Sequence, residues 1–239
     1  MYLRDDESSI RSNASRAYVI MREQIIRNEV PPGKKLNIAV LAAELAVSPG
    51  AMREALSRLT ADNLVLAKDQ RGFSVPPISM DELEDITQVR IMIETSALEQ
   101  SMANAETRWL EEIRRAFKDL KYAVEPDGQL ADAHAAFHEA LVGRCGSPTL
   151  KRLRASLYLA SERYRCFARY KATTRRDADA EHRAILDAVL QGDTNSAKAL
   201  LADHIRRTSL FVREALASEA NAPAPTSNAN SLPRRKPAS

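Results

Sequence analysis

A mainly α-helical chain in two parts is the fold class that three observations predict. Residues 15 to 75 carry three short amphipathic helical patterns and then two short apolar runs around a turn. Residues 79 to 217 show helical periodicity almost throughout and no credible strand. Between them, Val75-Pro76-Pro77-Ile78-Ser79 is the best linker, since paired prolines lack amide donors and disfavour helix before them. The expected organisation is a flexible arm over 1–14, a small domain over 15–77, a helical domain over 78–218 and a disordered basic tail over 219–239. The tail is rich in Pro, Ala, Asn and Ser and carries Arg234, Arg235 and Lys236 near its end.

In the first part, Ala17, Met21 and Ile25 place an apolar stripe on one helix, which stops before Pro31-Pro32-Gly33. A second helix is expected over about Ile38 to Leu45, and Ala46-Val47-Ser48 makes a tight connection. Ser48 is the N-cap of the third helix and Pro49 its first residue. Met52, Ala55, Leu56 and Leu59 fall on the inner side of that helix, leaving Arg53 and Arg58 outside. LVLAKDQRGFSV then forms a hairpin whose turn holds Lys68, Arg71 and Gly72. Three helices and a basic-tipped hairpin make a winged helix-turn-helix. Such a recognition helix enters the major groove by its N-terminus. There Gly50 permits close backbone approach, Arg53 has the fork that suits guanine O6 and N7, and Ser48 at the helix start is a further DNA-binding candidate. Arg71 and Gly72 sit at the wing tip, where Arg71 could reach a minor groove or a phosphate. The competing reading is that Arg53 and Arg58 are a solvated helix face.

Breaks at 125–128, 146–148, 171–174 and 192–193, with a weaker one near 105–108, divide the second part into about six helices, an all-helical bundle. The chain has four histidines, all in this part. His134 and His138 lie one helical turn apart and project from one face. His182 precedes Ile185, Leu186 and Val189, and His204 shares a stripe with Ala197, Leu200, Leu201, Thr208 and Phe211. Each histidine therefore points to the apolar side of its helix. Four ordinary buried histidines, each with one hydrogen bond, remain an alternative to a shared divalent cation.

Composition sets limits. The 239 residues suit one large or two small domains, and a net charge of +3 neither demands nor excludes a polyanionic partner. Cys145 and Cys166 form no CxxC pair and are expected to be reduced thiols. No apolar run approaches a membrane span and the N-terminus is charged, so a cytoplasmic protein with no membrane association is expected.

The segment LAAELAVSPGAMREALSRLTADNLV, the wing RGFSV, DELEDITQVRIMIET, then HAAFHEAL, EHRAILDAVLQGD and ADHI occur in a telling order. Together they resemble the GntR family of bacterial transcription regulators, in its FadR-type branch with an FCD ligand-sensing domain. The resemblance spans about residues 15 to 215. It implies a homodimeric winged-helix regulator binding a palindromic DNA operator. It also implies a helical, FCD-like domain that takes a small carboxylate metabolite, often through a divalent metal.

Two departures bear on those expectations. The family's recognition helix usually opens Val-Ser-Arg-Thr-Pro-Val-Arg, whereas this chain reads Val47-Ser48-Pro49-Gly50-Ala51-Met52-Arg53. Arg53 matches the second arginine and Pro49 replaces the first. The family's metal pattern is usually Asp-x-x-x-His followed by one His on each of two later helices. Here His134 stands at the aspartate position, and His138, His182 and His204 match the histidines. An all-nitrogen site shifts preference toward zinc, nickel or copper. Zinc is the expected cofactor and nickel the alternative. Asp132 lies on another helix face, and Asp179 is a candidate for orienting an imidazole or for stabilising its helix N-terminus. Arg90, in the family's Arg-x-x-x-Glu pattern with Glu94, and Arg163 and Arg165 are candidates to hold the effector's carboxylate. The expected function is a repressor controlled by that metabolite. The rivals are a regulator whose signal is the metal itself and a zinc metalloenzyme.

Overall fold

The computed structural model describes residues 12–68, 72–123, 129–169 and 178–220. Arg71, the breaks expected at 125–128 and 171–174, and most of the arm and tail lie outside the described residues. The described elements are α1 (Asn13–Ile26), β1 (Lys35–Leu36), α2 (Ile38–Glu44), α3 (Pro49–Ala61), β2 (Leu66–Lys68) and β3 (Gly72–Ser74), followed by six helices. Those are α4 (Met80–Ala103), α5 (Thr107–Tyr122), α6 (Gln129–Leu141), α7 (Pro148–Arg169), α8 (Ala178–Leu190) and α9 (Thr194–Ala220).

Two bounds differ from expectation. Helix α1 starts at Asn13, inside the expected arm, because the Ser12 hydroxyl accepts from the Ser15 amide and caps it. Helix α9 runs to Ala220, two residues into the expected tail. The wing also has a third strand: β3 pairs antiparallel with β2 and with β1, in the order β1-β3-β2. Two residues leave no periodic signal in sequence, so only pairing with Ser74 and Phe73 reveals β1.

The first core joins Met21 and Ile25 of α1 to Met52, Ala55, Leu56 and Leu59 of α3, and Leu36 and Val75 close it from the sheet. Helix α3 has the expected cap, Ser48 Oγ accepting from the Ala51 amide at 3.2 Å with Pro49 first in the helix. A larger core is built from α4, α5, α6, α8 and α9 around Leu98, Trp109, Ile113, Phe137, Ile185 and Leu201. Trp109 Nε1 donates to the Ala140 carbonyl at 2.8 Å and so fixes α5 against α6. Gly192, with φ of 73°, ends α8. Its amide and that of Asp193 return to the carbonyls of Val189 and Ala188, and Asp193 Oδ1 then accepts from the Ser196 amide to start α9. This turn sets α8 and α9 side by side.

The same reversal ends α1, α2 and α3 at Asn28, Ala46 and Asn63, all with φ between 51° and 58°. Asparagine tolerates the left-handed region, but alanine does not. In the turn between α2 and α3, the Val47 amide reaches Ala42 O and the Ala46 amide reaches Ala43 O. Arg16 of α1 then donates to the carbonyls of Leu45 and Ala46 at 2.9 and 3.3 Å. The left-handed alanine is thus held by its surroundings. Ala46→Gly should stabilise the protein by roughly 0.5–1 kcal/mol, the steric relief exceeding glycine's extra chain entropy; urea unfolding of parent and variant measures it, and a loss of stability would contradict the argument.

Candidate functional site

The four histidines converge. His134 and His138 come from α6, His182 from α8 and His204 from α9, and all six ring-centroid separations lie between 4.5 and 6.2 Å. One ring nitrogen from each falls within 4.8 Å of those from the others. His138, His182 and His204 are buried and His134 is partly so. Neither nitrogen of His138 has a hydrogen-bond partner, although the residue is fully buried. An unsatisfied buried imidazole is costly, and a cation shared with its neighbours would satisfy it.

Two rings are oriented from behind. Glu181 Oε2 lies 3.0 Å from His204 Nδ1. A carboxylate only accepts, so Nδ1 carries the proton and Nε2 is the nitrogen left to the cluster. Tyr158 Oη lies 2.8 Å from His134 Nδ1, leaving Nε2 of that ring to face the cluster. Sequence reasoning offered Asp179 for the orienting role. Asp179 is exposed, and Glu181, two residues on and immediately before His182, takes it instead. Asp132 is likewise exposed and is no ligand. Neither Glu181 nor Tyr158 announces itself in sequence, because each acts across to a different helix.

Electrostatics keeps His134 and His138 neutral. Burial pushes His134 well below the usual histidine range, and the Arg165 guanidinium and the other imidazoles push it the same way. Burial does the same to His138, followed by His204 and His182. A cluster of neutral imidazoles is a set of nitrogen lone pairs, which is what a metal takes. The ring nitrogens, within 4.8 Å of one another, compare with the ~3.4 Å edge of a tetrahedron with ~2.1 Å bonds, a difference of ~1.4 Å at the widest. Side-chain rotations of about an ångström close that difference, so the donor set fits a divalent cation.

The arginines sort differently from expectation. Arg90 is buried, donates to Glu94 Oε1 at 2.7 Å and to Ser161 Oγ at 2.9 Å, and stacks 4.9 Å from the Tyr158 ring. Arg154, which has no marker in the sequence, also lies over that ring, 5.3 Å from its centroid. Burial would raise the Glu94 carboxyl, but Arg90 and Arg154 outweigh it and hold the group below the usual carboxylate range. Arg154 is 3% exposed and its Nη2 has no hydrogen-bond acceptor. Arg165 is bound by both oxygens of Glu162. Arg163 does not belong to this site: its guanidinium holds the Pro76 and Pro77 carbonyls at 2.8 and 3.4 Å. A groove of about 310 Å³ between α5 and α8, lined in part by Phe117, Lys118, Lys121 and Arg183, includes none of the four histidines.

In the winged part, Arg53 is exposed one turn into α3 and makes no ion pair among the described residues. Gly50 is exposed, and a Cβ there would meet only Ser48 Oγ at 3.9 Å, so the fold itself does not require glycine. Gly72, with φ of 78°, opens β3 at the wing tip. Arg58 faces back toward α1, stacked 4.4 Å from the Tyr18 ring and donating to Ser15 Oγ at 3.2 Å. It serves the α1–α3 contact, since it lies in the last turn of α3, far from the end that enters a groove.

A capped recognition helix with a free arginine, a three-stranded wing and an appended helical domain define a DNA-binding transcription regulator. The model of the bacterial regulatory proteins of the gntR family matches residues 13–75, and that of the FCD domain matches residues 85–207. The HTH-type transcriptional regulator BphR of Paraburkholderia xenovorans is 33% identical over 215 residues, covering 87% of this chain and 88% of that protein. The HTH-type transcriptional repressor GlaR of Escherichia coli is 30% identical over 211 residues, 84% and 96% of the two chains. Escherichia coli McbR/YncC superposes with a TM-score of 0.73 at 22% identity, over 85% of this chain and 98% of that one, which supports the fold. The chain belongs to the GntR family, with an FCD domain at its C-terminal side. Both relatives are transcription regulators by name, and the family assignment puts this chain with regulators rather than with metalloenzymes. Among the described residues no helix is long and apolar enough to cross a membrane.

The neutral, buried imidazoles have a consequence for the metal-free protein. The unfolded chain takes up protons near pH 6.5, whereas folded His134 and His138 resist them until well below that. The stability they allow is therefore complete above about pH 6.5 and is lost as pH falls below it. Calorimetry in chelator should show Tm falling between about pH 7.5 and 5.5, above the carboxylate range, with a weaker fall in His138→Leu; equal slopes would contradict the neutral cluster.

Proposed function

We propose that the protein is a repressor whose operator affinity is set by a divalent metal and a small carboxylate metabolite in the helical domain. The observation that carries the reading is the buried group of four imidazole nitrogens within 4.8 Å, one ring of which has no partner at all. His134, His138, His182 and His204 would hold the ion, zinc first and nickel as the alternative, as four nitrogen donors favour. Bound there, the metal supplies a positive centre and open coordination positions for an anion. Arg154, with an unsatisfied Nη2 beside Tyr158, and Arg90 are better placed for the anion's other end than Arg163. Arg165, already paired with Glu162, contributes field rather than an open donor. The repressor sense follows the GlaR relative.

One feature favours a second reading, in which the metal is itself the signal. Four protein nitrogens can saturate zinc and leave it no open position. The two readings part on a single comparison: operator affinity that follows zinc without any organic acid supports the metal signal.

Two copies acting on a palindromic operator complete the proposal. Native mass spectrometry of the full chain should give a dimer carrying one metal per protomer. Metal should be lost in His138→Ala; retention of metal in His134→Ala would reduce the site to the three histidines that match the family. For DNA, fluorescence anisotropy on the promoter region beside its own gene should detect a specific complex that changes with metal or added carboxylates. Arg53→Ala should weaken that complex by roughly 1–3 kcal/mol and relax base preference, if Arg53 reads a base. Absence of any specific complex at low and moderate salt would overturn the operator proposal.

A further inference from the structure

Helix α7 touches both the histidine site and the winged domain. Tyr158 carries the hydrogen bond to His134, and on the same face Ser161 and Glu162 bind Arg90 and Arg165. A second face, rotated by about 100° per residue, is turned elsewhere. There Leu159 and Cys166 pack into the core of the winged domain, the only members of that cluster drawn from beyond Val75 among the described residues. Between them, Arg163 is 2% exposed and donates to the Pro76 and Pro77 carbonyls, with Glu82 Oε2 3.7 Å away. Tyr164 Oη accepts from the Ser79 amide at 3.3 Å and donates to Glu82. Ser79 in turn caps α4 through the Glu82 amide. Two successive residues of α7 thus hold the whole linker from Pro76 to the start of α4.

We propose that α7 is the rigid coupling between the two domains, with Arg163 as the positioning residue that fixes the linker and Tyr158 as the contact with the histidines. The two points are five residues, ~7.5 Å, apart on one helix. A shift or rotation of α7 at Tyr158 is therefore delivered to the linker and to the α1 side of the winged domain without an intervening loop. Proline suits this seam, because both clamped groups are carbonyls and neither proline needs an amide partner. The direction of signalling rests on the metal reading above; the clamp does not.

Hydrogen exchange on the full chain, in zinc and in chelator, tests both. In chelator, Arg163→Gln should raise exchange at the Ile78 and Ser79 amides and along α1 by tenfold or more, with α6, α8 and α9 unchanged. Arg163→Lys, which keeps the charge and one donor nitrogen in place of the two used by the guanidinium, should restore part of the protection. Equal exchange in parent and Arg163→Gln overturns the clamp. In zinc, the parent should gain protection in α6, α8 and α9 and also at the linker and α1, whereas Arg163→Gln should gain only the first. Protection that reaches the linker equally in the variant, or that stops at the helical domain in the parent, overturns the coupling. No zinc protection anywhere refutes the metal site, while the chelator comparison still decides whether Arg163 fixes the linker.

Discussion

Four imidazoles from three helices are drawn to one place in the helical domain, with a ring nitrogen of each within 4.8 Å of the others, and the packing of those helices is what holds them there. Three helices deliver the rings, and each is fixed by a contact that has nothing to do with histidine chemistry. Trp109 reaches the Ala140 carbonyl to seat α6, and the Gly192 reversal lays α8 beside α9. Glu181 then crosses from α8 to the His204 ring. Removing the rings from solvent is what lowers their affinity for protons, so packing and ligand readiness have one cause.

A second buried polar group sits beside the first and obeys a different rule. Glu94 lies between Arg90 and Arg154, and the Tyr158 ring is flanked by the same two guanidiniums. Two cations meet one buried carboxylate, and Glu139 adds a second negative charge from the half-exposed edge through Arg154. Charges buried this way are held because each guanidinium has several contacts. Tyr158 joins this group to the imidazoles, so the two are one polar interior rather than neighbours by accident.

Much of this was legible in the sequence, and the limits have physical reasons. Helices with a buried stripe and marked ends, such as α3 with Ser48-Pro49 and α8 with Gly192, were readable because cap and period agree. The histidines were readable because i, i+4 spacing and apolar neighbours put each ring inward, and the ordered motifs paired the right helices. Strand β1 was not, being two residues long and defined only by its partner. The orienting groups Glu181 and Tyr158 and the buried Arg154 were missed for one reason. Their roles depend on which face of another helix they meet, and no spacing within their own helix encodes that. Arg163 was placed with the effector because an inward arginine on a bundle helix looks the same in sequence whether it meets a carboxylate or a backbone carbonyl.

The grip of Arg163 on Pro76 and Pro77 is a grip on backbone oxygen, which every residue has. Side chains at positions 76 and 77 can therefore drift in descendants of this chain with little effect on that grip, whereas the Ser79 hydroxyl is still needed as the cap of α4. Length cannot drift. One residue inserted or deleted there moves Ser79 off Tyr164 and the α4 cap off Glu82, so ahead of Ser79 selection acts on this stretch as a ruler more than as a text.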